Sequence, residues 1–410
     1  MKRKKGCFIL GGIITLCFLM LTGVNGLAAP KPIKIGVTMT FSGIGSMSGL
    51  DMVEGIKMAV DEINASGGLL GRKVELLARD MKSDPKTALR EATGLVLKEK
   101  VDFLIGAHIS SATLAVSSFC KENKFLLSNC GSESAQITEQ KGHRYIFRTI
   151  YNTNMRSKGY AQFVSKNPKW KKYWLMGSDY AFGRDMCSDF AANLKKLRPD
   201  VQIIGGGYSP IGATDHSGFI TQAMAAKPDA IFLSYWSDEM IAWIKQAKGY
   251  GLFEKIGVIA DVGDLAVAMA MGNEMPEGIA AVVSYVFYSD LPQNISFRER
   301  AFKRTGKMPS NRIAQGYWNL FFLAEAIKKA GTTNHEKVID SWEGLTIDTP
   351  VGPMWMRPYD HQAAVPVFGG YTYKDKRYPD FHILRDAERI DGKLLMTPLE
   401  EVKKLRESTK

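Results

Sequence analysis

The sequence has few cysteines, and neither these nor its histidines show the spacing of a metal site. Five cysteines occur in 410 residues, and Cys7 and Cys17 fall in an apolar N-terminal stretch. Cys120, Cys130 and Cys187 remain, at intervals that match no zinc pattern. A disulfide between Cys120 and Cys130 is one alternative, but we expect three free, mostly buried thiols. The six histidines are scattered along the chain, so we expect no bound metal.

The sequence also lacks the motifs of common catalytic sites. The sequence contains no GxSxG nucleophile elbow. The serine-containing segment Gly131–Ala135 does not match it, since it has no second glycine. Gly43–Gly49 has the spacing GxGxxxG instead of the GxGxxG of dinucleotide-binding loops, which is a weak signal. We therefore expect no cofactor and no enzymatic activity, and a protein that captures a ligand.

Long apolar runs are missing except at the beginning of the chain. Met1–Ala28 has the three parts of a secretory signal peptide: basic residues at 2–5, an apolar stretch at Phe8–Leu21, and small residues up to Ala28. Nothing after it is long and apolar enough to span a bilayer. We expect an exported protein. The signal is either cleaved or retained as an N-terminal anchor, and the sequence does not decide between the two.

The charge balance is basic but not concentrated. The net charge of +12 includes four positive charges at positions 2–5, which leaves +8 for the rest of the chain. The basic residues are dispersed and are not interleaved with an aromatic platform, whereas a nucleic-acid-binding face would concentrate them. We expect no nucleic-acid partner.

Short apolar runs alternate with helical patterns twice along the chain. The first series has predicted strands at Ile35–Thr38, Lys73–Ala78, Phe103–Ile105 and Phe125–Ser128, and the second at Lys172–Met176, Val201–Gly205, Ala230–Ser234 and Ile256–Ala260. Strands that alternate with amphipathic helices indicate parallel sheets covered by helices on both faces. The sequence thus predicts an α/β protein with two doubly wound lobes and a boundary near 148–152.

The pattern changes after residue 278, where one more strand is followed by three helices and a tail of short strands. A chain that completes a second lobe and then adds helices is expected to return to the first. We predict a first lobe of residues 29–150 plus 280–358 and a second of 151–279 plus 359–410. Several short crossovers between two lobes form a hinge.

Hydroxyl-bearing residues follow two predicted strands of the first lobe. Ser110, Ser111 and Thr113 come after one strand, and Cys130 and Ser132 after the next. Ligands of open parallel sheets bind beyond the carboxyl ends of the strands. Helices that begin there offer free N–H groups to an anion. We expect these residues, with Cys130 acting through its backbone, to bind a carboxylate or phosphate, although helix capping alone would also explain one of the serines.

The corresponding loops of the second lobe carry aromatic and acidic residues. Tyr180, Tyr235 and Trp236 follow two strands, and Asp261 follows a third. Aromatic side chains can form the wall of a ligand pocket, and a carboxylate can balance a ligand ammonium. We therefore expect these four residues to complete a site between the lobes.

Several motifs resemble one family. They are Lys34–Thr38 with Phe41–Gly43, Ala59–Asn64 with Gly67–Gly71, Leu104–Gly106 with Ser110–Thr113, Asp179–Gly183, Asp215–Ser217 and Lys227–Ala230. Together they resemble the leucine/isoleucine/valine-type periplasmic binding proteins, the solute receptors of branched-chain amino acid ABC transporters. The resemblance covers nearly the whole chain after the signal.

The resemblance implies the type I periplasmic binding protein fold, a periplasmic location and membrane permease subunits as partners. It also implies that Ser110, Thr113 and the loop of Cys130 and Ser132 hold the ligand carboxylate. Asp261 is the nearest match to the ammonium-binding acid, but residues 260–264 depart from the family pattern. The expected ligand is a branched-chain or other apolar amino acid. An aromatic or other carboxylic acid stays open, as does a sensor that reports to a membrane receptor.

Overall fold

The computed structural model describes Met1 and residues 30–408, so the predicted signal lies, but for its first residue, outside the described residues. Within the described part, no helix is both long and apolar enough to cross a membrane.

The first lobe is built on a five-stranded parallel sheet in the order β2-β1-β3-β4-β5. Its strands are β1 Ile33–Met39, β2 Val74–Asp80, β3 Phe103–Gly106, β4 Leu127–Asn129 and β5 Ile146–Arg148, and its first helices are α1 Ser46–Ala65, α2 Pro85–Leu97 and α3 Ser110–Glu122. Helix α2 begins as its sequence predicts, because Asp84 accepts a hydrogen bond from the Thr87 N–H at 2.7 Å. The sequence does not predict strand β5.

The second lobe continues the same alternation. Its elements are α4 Thr153–Val164, β6 Lys172–Ser178, α5 Ala181–Leu197, β7 Gln202–Ser209, α6 Ser217–Ala226, β8 Ala230–Ser234, α7 Ser237–Gly249, β9 Gly257–Ile259, α8 Leu265–Met271 and β10 Ala280–Val283. Strands β6 to β10 are parallel to one another. The predicted pair of parallel-sheet lobes is therefore confirmed.

The chain then returns to the first lobe and leaves it again. The returning elements are α9 Pro292–Thr305, α10 Asn311–Ala330, α11 His335–Trp342, β11 Thr346–Thr349 and β12 Gly352–Trp355. Helix α10 packs along α1, and Arg304 of α9 pairs with Asp61 of α1 at 2.6 Å. Next, β13 Val367–Lys374 and β14 His382–Ile390 extend the second sheet as antiparallel strands, giving the order β14-β13-β10-β9-β8-β6-β7.

Two details differ from the predicted lobe boundaries. Strand β10 was assigned to the first lobe but pairs with β9 and β13 of the second sheet, so the chain crosses back only after Val283. The chain ends with α12 Gly392–Leu395 and α13 Leu399–Glu407. Arg406 of α13 donates to the carbonyl oxygens of Thr138 and Glu139 in the first lobe. A short apolar strand and an amphipathic helix do not reveal in the sequence which lobe they join.

Candidate ligand-binding site

A narrow pocket lies between the lobes, where the loops that follow five strands meet. The loops follow β3 and β4 on one side and β6, β8 and β9 on the other, and α4 and α10 add one arginine each. The lining residues are His108, Ile109, Ser110, Gly131, Ser132, Glu133, Arg156, Tyr180, Phe182, Trp236, Asp261 and Arg312. The walls are close together and leave a cavity of about 20 Å³.

The first-lobe wall presents the beginning of helix α3. Its N-cap residue, Ile109, has an extended backbone, and no side chain of the described residues caps this helix end. The Ser110 hydroxyl accepts a hydrogen bond from the Ser134 N–H at 3.2 Å, so its own hydrogen can be donated to a ligand. Unpaired N–H groups and the positive end of the helix dipole favour an anion at this position.

Two of the predicted ligand-binding hydroxyls form hydrogen bonds within the protein instead. Thr113 and Ser132 are 2.6 Å apart, and each also lies 3.0 Å from the carbonyl oxygen of Ala107. Each hydroxyl has one hydrogen to donate, and these contacts within the protein use the hydrogens of both Thr113 and Ser132. Ser132 lines the pocket with its hydroxyl already engaged, whereas Thr113 is fully buried and does not line it.

Ser111 and Cys130 also lie outside the pocket lining. Ser111 is half-buried on the next position of α3. Cys130 is fully buried in the hydrophobic core, and burial raises the pKa of its thiol to about 12. The loop predicted around Cys130 nevertheless reaches the site through the next three residues, Gly131, Ser132 and Glu133. Cys120, Cys130 and Cys187 are all free and buried, as expected.

The second-lobe wall is aromatic. Tyr180 and Trp236 are the N-cap residues of α5 and α7, and Phe182 lies in the first turn of α5. All three line the pocket. Tyr235 does not, because its ring packs in the second-lobe core 4.9 Å from His216 and its hydroxyl oxygen lies 3.5 Å from the Ser209 Oγ.

A cluster of five charged side chains lies at the pocket, and all of them but Asp264 line it. Arg156 of α4 pairs with Glu133 at 2.8 Å and with Asp261 at 2.5 Å. Arg312 of α10 lies 3.3 Å from Glu133, 3.8 Å from Asp261 and 3.4 Å from Asp264. Glu133 and Arg312 belong to the first lobe and the other three to the second, so the cluster also joins the lobes.

The cluster has three carboxylates for two guanidinium groups. Burial raises the pKa of Asp264 to about 6, so this carboxyl is mostly ionised at neutral pH and the formal balance is negative. Asp261 Oδ2 faces Arg156, but Asp261 Oδ1 is buried and has no hydrogen-bond partner among the described residues. A buried anionic oxygen without a partner is unfavourable, and a ligand cation would relieve it.

His108 adds a neutral polar group to the pocket. Burial, assisted by the charge of Arg312, lowers the pKa of His108 to about 3. The ring is therefore uncharged at neutral pH, with one nitrogen as donor and the other as acceptor. In the described part of the chain neither nitrogen has a hydrogen-bond partner.

Sequence reasoning missed Glu133, Arg156, Phe182 and Arg312. Glu133 lies in the loop after β4, where the sequence predicts a site from the hydroxyl and backbone groups of Ser132 and Cys130. Arg156 and Arg312 lie in helices, where an arginine usually faces solvent. One signal was available for Arg312, because it is the second residue of α10, whose next positions are largely apolar.

The described residues include no group of three or more histidine, cysteine and acidic side chains placed to hold a metal ion.

Comparison with known proteins gives the family. Residues 32–372 match the family model described as periplasmic binding protein, so the chain belongs to that family. Its members are ligand-binding proteins of transporters, not enzymes. The resemblance found in the sequence is thereby confirmed.

Three proteins show what the chain is similar to in sequence or in fold. The chain is 26% identical over 371 residues to Leu/Ile/Val-binding protein homolog 4 of Brucella melitensis, covering 85% of this chain and 86% of that protein. It is 26% identical to the leucine-, isoleucine-, valine-, threonine- and alanine-binding protein of Pseudomonas aeruginosa, covering 79% and 85%. A Rhodopseudomonas palustris solute-binding protein, solved with 3,4-dihydroxybenzoic acid, superposes with a TM-score of 0.80 at 22% identity, covering 88% and 98%.

Proposed function

We propose that this protein is the periplasmic solute-binding component of an ABC importer and that it captures an apolar amino acid between its two lobes. The ligand ammonium binds Asp261, and the ligand carboxylate binds the Ser110 hydroxyl and the N-terminus of α3. The loaded protein then delivers the amino acid to membrane permease subunits.

The observation that carries this proposal is the buried Oδ1 of Asp261, which has no hydrogen-bond partner among the described residues and lies in a pocket whose charged cluster is negative overall. A zwitterion supplies a cation to this oxygen without changing the net charge of the site. A simple carboxylic acid would add a further negative charge to a site that already has three carboxylates for two guanidinium groups. Like charges at short range in a buried site repel strongly.

The other walls suit the rest of an apolar amino acid. The start of α3 and Ser110 face the pocket from the first lobe, where they can donate to a carboxylate. Tyr180, Phe182 and Trp236 offer apolar surface for a side chain from the second lobe. The names of the relatives from Brucella and Pseudomonas support a ligand of this class.

An aromatic acid is the second candidate, because three aromatic rings and two arginines line the same pocket. Solved proteins of the same fold hold 3,4-dihydroxybenzoic acid and 4-hydroxybenzoate. In that case the acid would have to draw Arg156 or Arg312 away from the carboxylates that they contact.

The test is calorimetric titration of the wild type with a panel of amino acids and with benzoate, followed by titration of Asp261→Asn. This substitution keeps the shape of the side chain and removes its charge. A hydrogen bond to a charged group contributes about 1.5–3 kcal/mol, so the amino acid should bind roughly 10- to 150-fold more weakly to the variant.

Asp264→Asn is the matched control. Asp264 belongs to the same cluster and contacts the same Arg312, but it does not line the pocket. Amino-acid affinity should fall much less in this variant. If benzoate binds more tightly than any amino acid, and Asp261→Asn improves its binding, the ligand is an aromatic acid and the proposal is wrong.

A further inference from the structure

Trp236 extends from the second lobe into the first. It lies at the start of α7, directly after β8, yet it packs in a hydrophobic cluster with Met81, Ala107 and Ile109 of the first lobe. Its side chain is almost fully buried. The indole ring meets the ring of His108 edge to face, with centroids 4.8 Å apart.

Gly45 provides the space that the ring occupies. A Cβ atom at Gly45 would lie 2.7 Å from the Cζ2 and Cζ3 atoms of Trp236, and closer still to Cη2. Real Cβ atoms are essentially never this close to another atom, so the ring and any larger residue at position 45 exclude each other. Gly45 does not line the ligand pocket.

Several contacts across the cleft are polar and lie near the pocket. The Ser134 hydroxyl of the first lobe donates to Asp185 on α5, and the charged cluster joins both lobes. Trp236 differs from these because its contact is apolar. Apolar contact is lost to water when the lobes separate, which favours the closed arrangement.

From this geometry we infer that Trp236 is a closure-determining residue: its ring, lodged against Gly45 and His108, holds the two lobes together whether or not a ligand is present. The inference rests on the two-lobed capture proposed above but not on the identity of the ligand. Because closure precedes or accompanies tight binding, losing this contact reduces the affinity for any ligand of the pocket.

The experiment uses glycine variants, since Trp236 itself lines the pocket and its removal would change ligand contacts as well. Gly45→Ala places a Cβ against the ring. Gly43→Ala is the matched control, because both glycines have a positive φ, 78° at Gly45 and 81° at Gly43, while a Cβ at Gly43 meets nothing within 4 Å. The two variants therefore share the backbone strain and differ in the clash.

Small-angle scattering of the ligand-free proteins gives the first readout. The radius of gyration should be larger for Gly45→Ala than for the wild type and for Gly43→Ala. Trp236→Ala should give the same increase, and adding Gly45→Ala to it should change nothing further, because the ring is gone. Thermal melts identify any variant that does not fold, and Trp236→Phe, with a smaller ring, then replaces Trp236→Ala.

Titration with the tightest ligand found in the panel gives the second readout. Gly45→Ala should lower affinity roughly tenfold relative to Gly43→Ala, which corresponds to about 1.4 kcal/mol. Equal scattering and equal affinity for the two glycine variants would overturn the inference, as would independent, additive effects of Gly45→Ala and Trp236→Ala. Failure of amino acids to bind would contradict the proposed function alone, since the scattering measurement needs no ligand.

Discussion

The two walls of the cleft are built from the same kind of element and present different chemistry. On both sides a helix begins directly after a parallel strand, and the helices that begin at the pocket, α3, α5 and α7, have no side-chain cap among the described residues. The first-lobe wall is mainly polar and includes Ser110, whereas the second-lobe wall carries Tyr180, Phe182 and Trp236. The polar wall can hold a carboxylate, and the aromatic wall can cover an apolar side chain.

We therefore assign the binding of the ligand carboxylate to the first-lobe wall and the closure of the lobes to Trp236 of the second-lobe wall. Polar groups of the first lobe are held by their own network, as the Thr113–Ser132–Ala107 arrangement shows. The aromatic wall reaches across the cleft through Trp236. Between the walls, the charged cluster belongs to both lobes, and it is the part on which the largest effect of a substitution is expected.

Arg312→Met should destabilise the protein most. The variant leaves Glu133, Asp261 and Asp264 close together with only Arg156 to balance them. Loss of one partner from a buried ion pair costs about 3–5 kcal/mol. Chemical denaturation should show this loss of unfolding free energy, if the cluster joins the walls as described.

Arg304→Met is the control for that prediction. Arg304 also pairs with two carboxylates, Glu54 and Asp61, but at the surface of the first lobe. Exposed pairs contribute about 1 kcal/mol or less. Equal losses of unfolding free energy for the two arginine variants would mean that the buried cluster stabilises the protein no more than an exposed ion pair does.

Ser110→Ala should weaken ligand binding and also lower the unfolding free energy by about 1 kcal/mol, because the buried Ser134 N–H loses its hydrogen-bond acceptor. The variant removes a donor from the polar wall, at an expected cost in binding free energy of about 1.5–3 kcal/mol for a charged ligand group. Ser111→Ala, one position further along the same helix, should bind normally because Ser111 does not line the pocket. Unchanged affinity for Ser110→Ala in calorimetry would place the carboxylate elsewhere.

Thr113→Val should lower stability without changing ligand binding. It removes a hydrogen bond inside the wall, while Ser132 can still donate to the Ala107 carbonyl. Unfolding free energy should fall by about 1 kcal/mol, the usual net value of one hydrogen bond. Ligand affinity should stay the same, and a clear loss of affinity would show that Thr113 contacts the ligand after all.

The last prediction concerns the pH dependence of stability. The folded pKa of Asp264, about 6, is higher than the value of about 3.9 for an unperturbed aspartate. The folded protein thus binds this proton more tightly than the unfolded chain, so this carboxyl adds stability as the pH falls from 7 toward 4. The Tm of the wild type minus that of Asp264→Asn should be larger at pH 4.5 than at pH 7.5. A difference that is independent of pH would contradict the assignment.

Part of each wall could be predicted from the sequence, whereas the charged cluster could not. Strand–helix alternation located the loops, and Ser110, Ser132, Tyr180, Trp236 and Asp261 do line one pocket. The side chains of Thr113 and Tyr235 point away from the pocket, because the position of a residue after a strand does not fix the direction of its side chain.

The charged cluster depends on contacts between segments far apart in the chain. Arg156 and Arg312 are separated by more than one hundred positions, and both contact Glu133 only because the chain crosses between the lobes. No local pattern in the sequence encodes such a contact. The interlobe position of Trp236 was hidden for the same reason, since its partner Gly45 belongs to the first loop of the chain.

The most direct test of the account is to titrate the wild type with leucine and with 4-methylpentanoate, which has the same carbon chain and carboxylate but no ammonium. If Asp261 binds the ligand ammonium, leucine should bind at least roughly tenfold more tightly, the loss expected for one hydrogen bond to a charged group. Equal or tighter binding of 4-methylpentanoate would contradict the account, because the negative pocket would then have no need of a ligand cation.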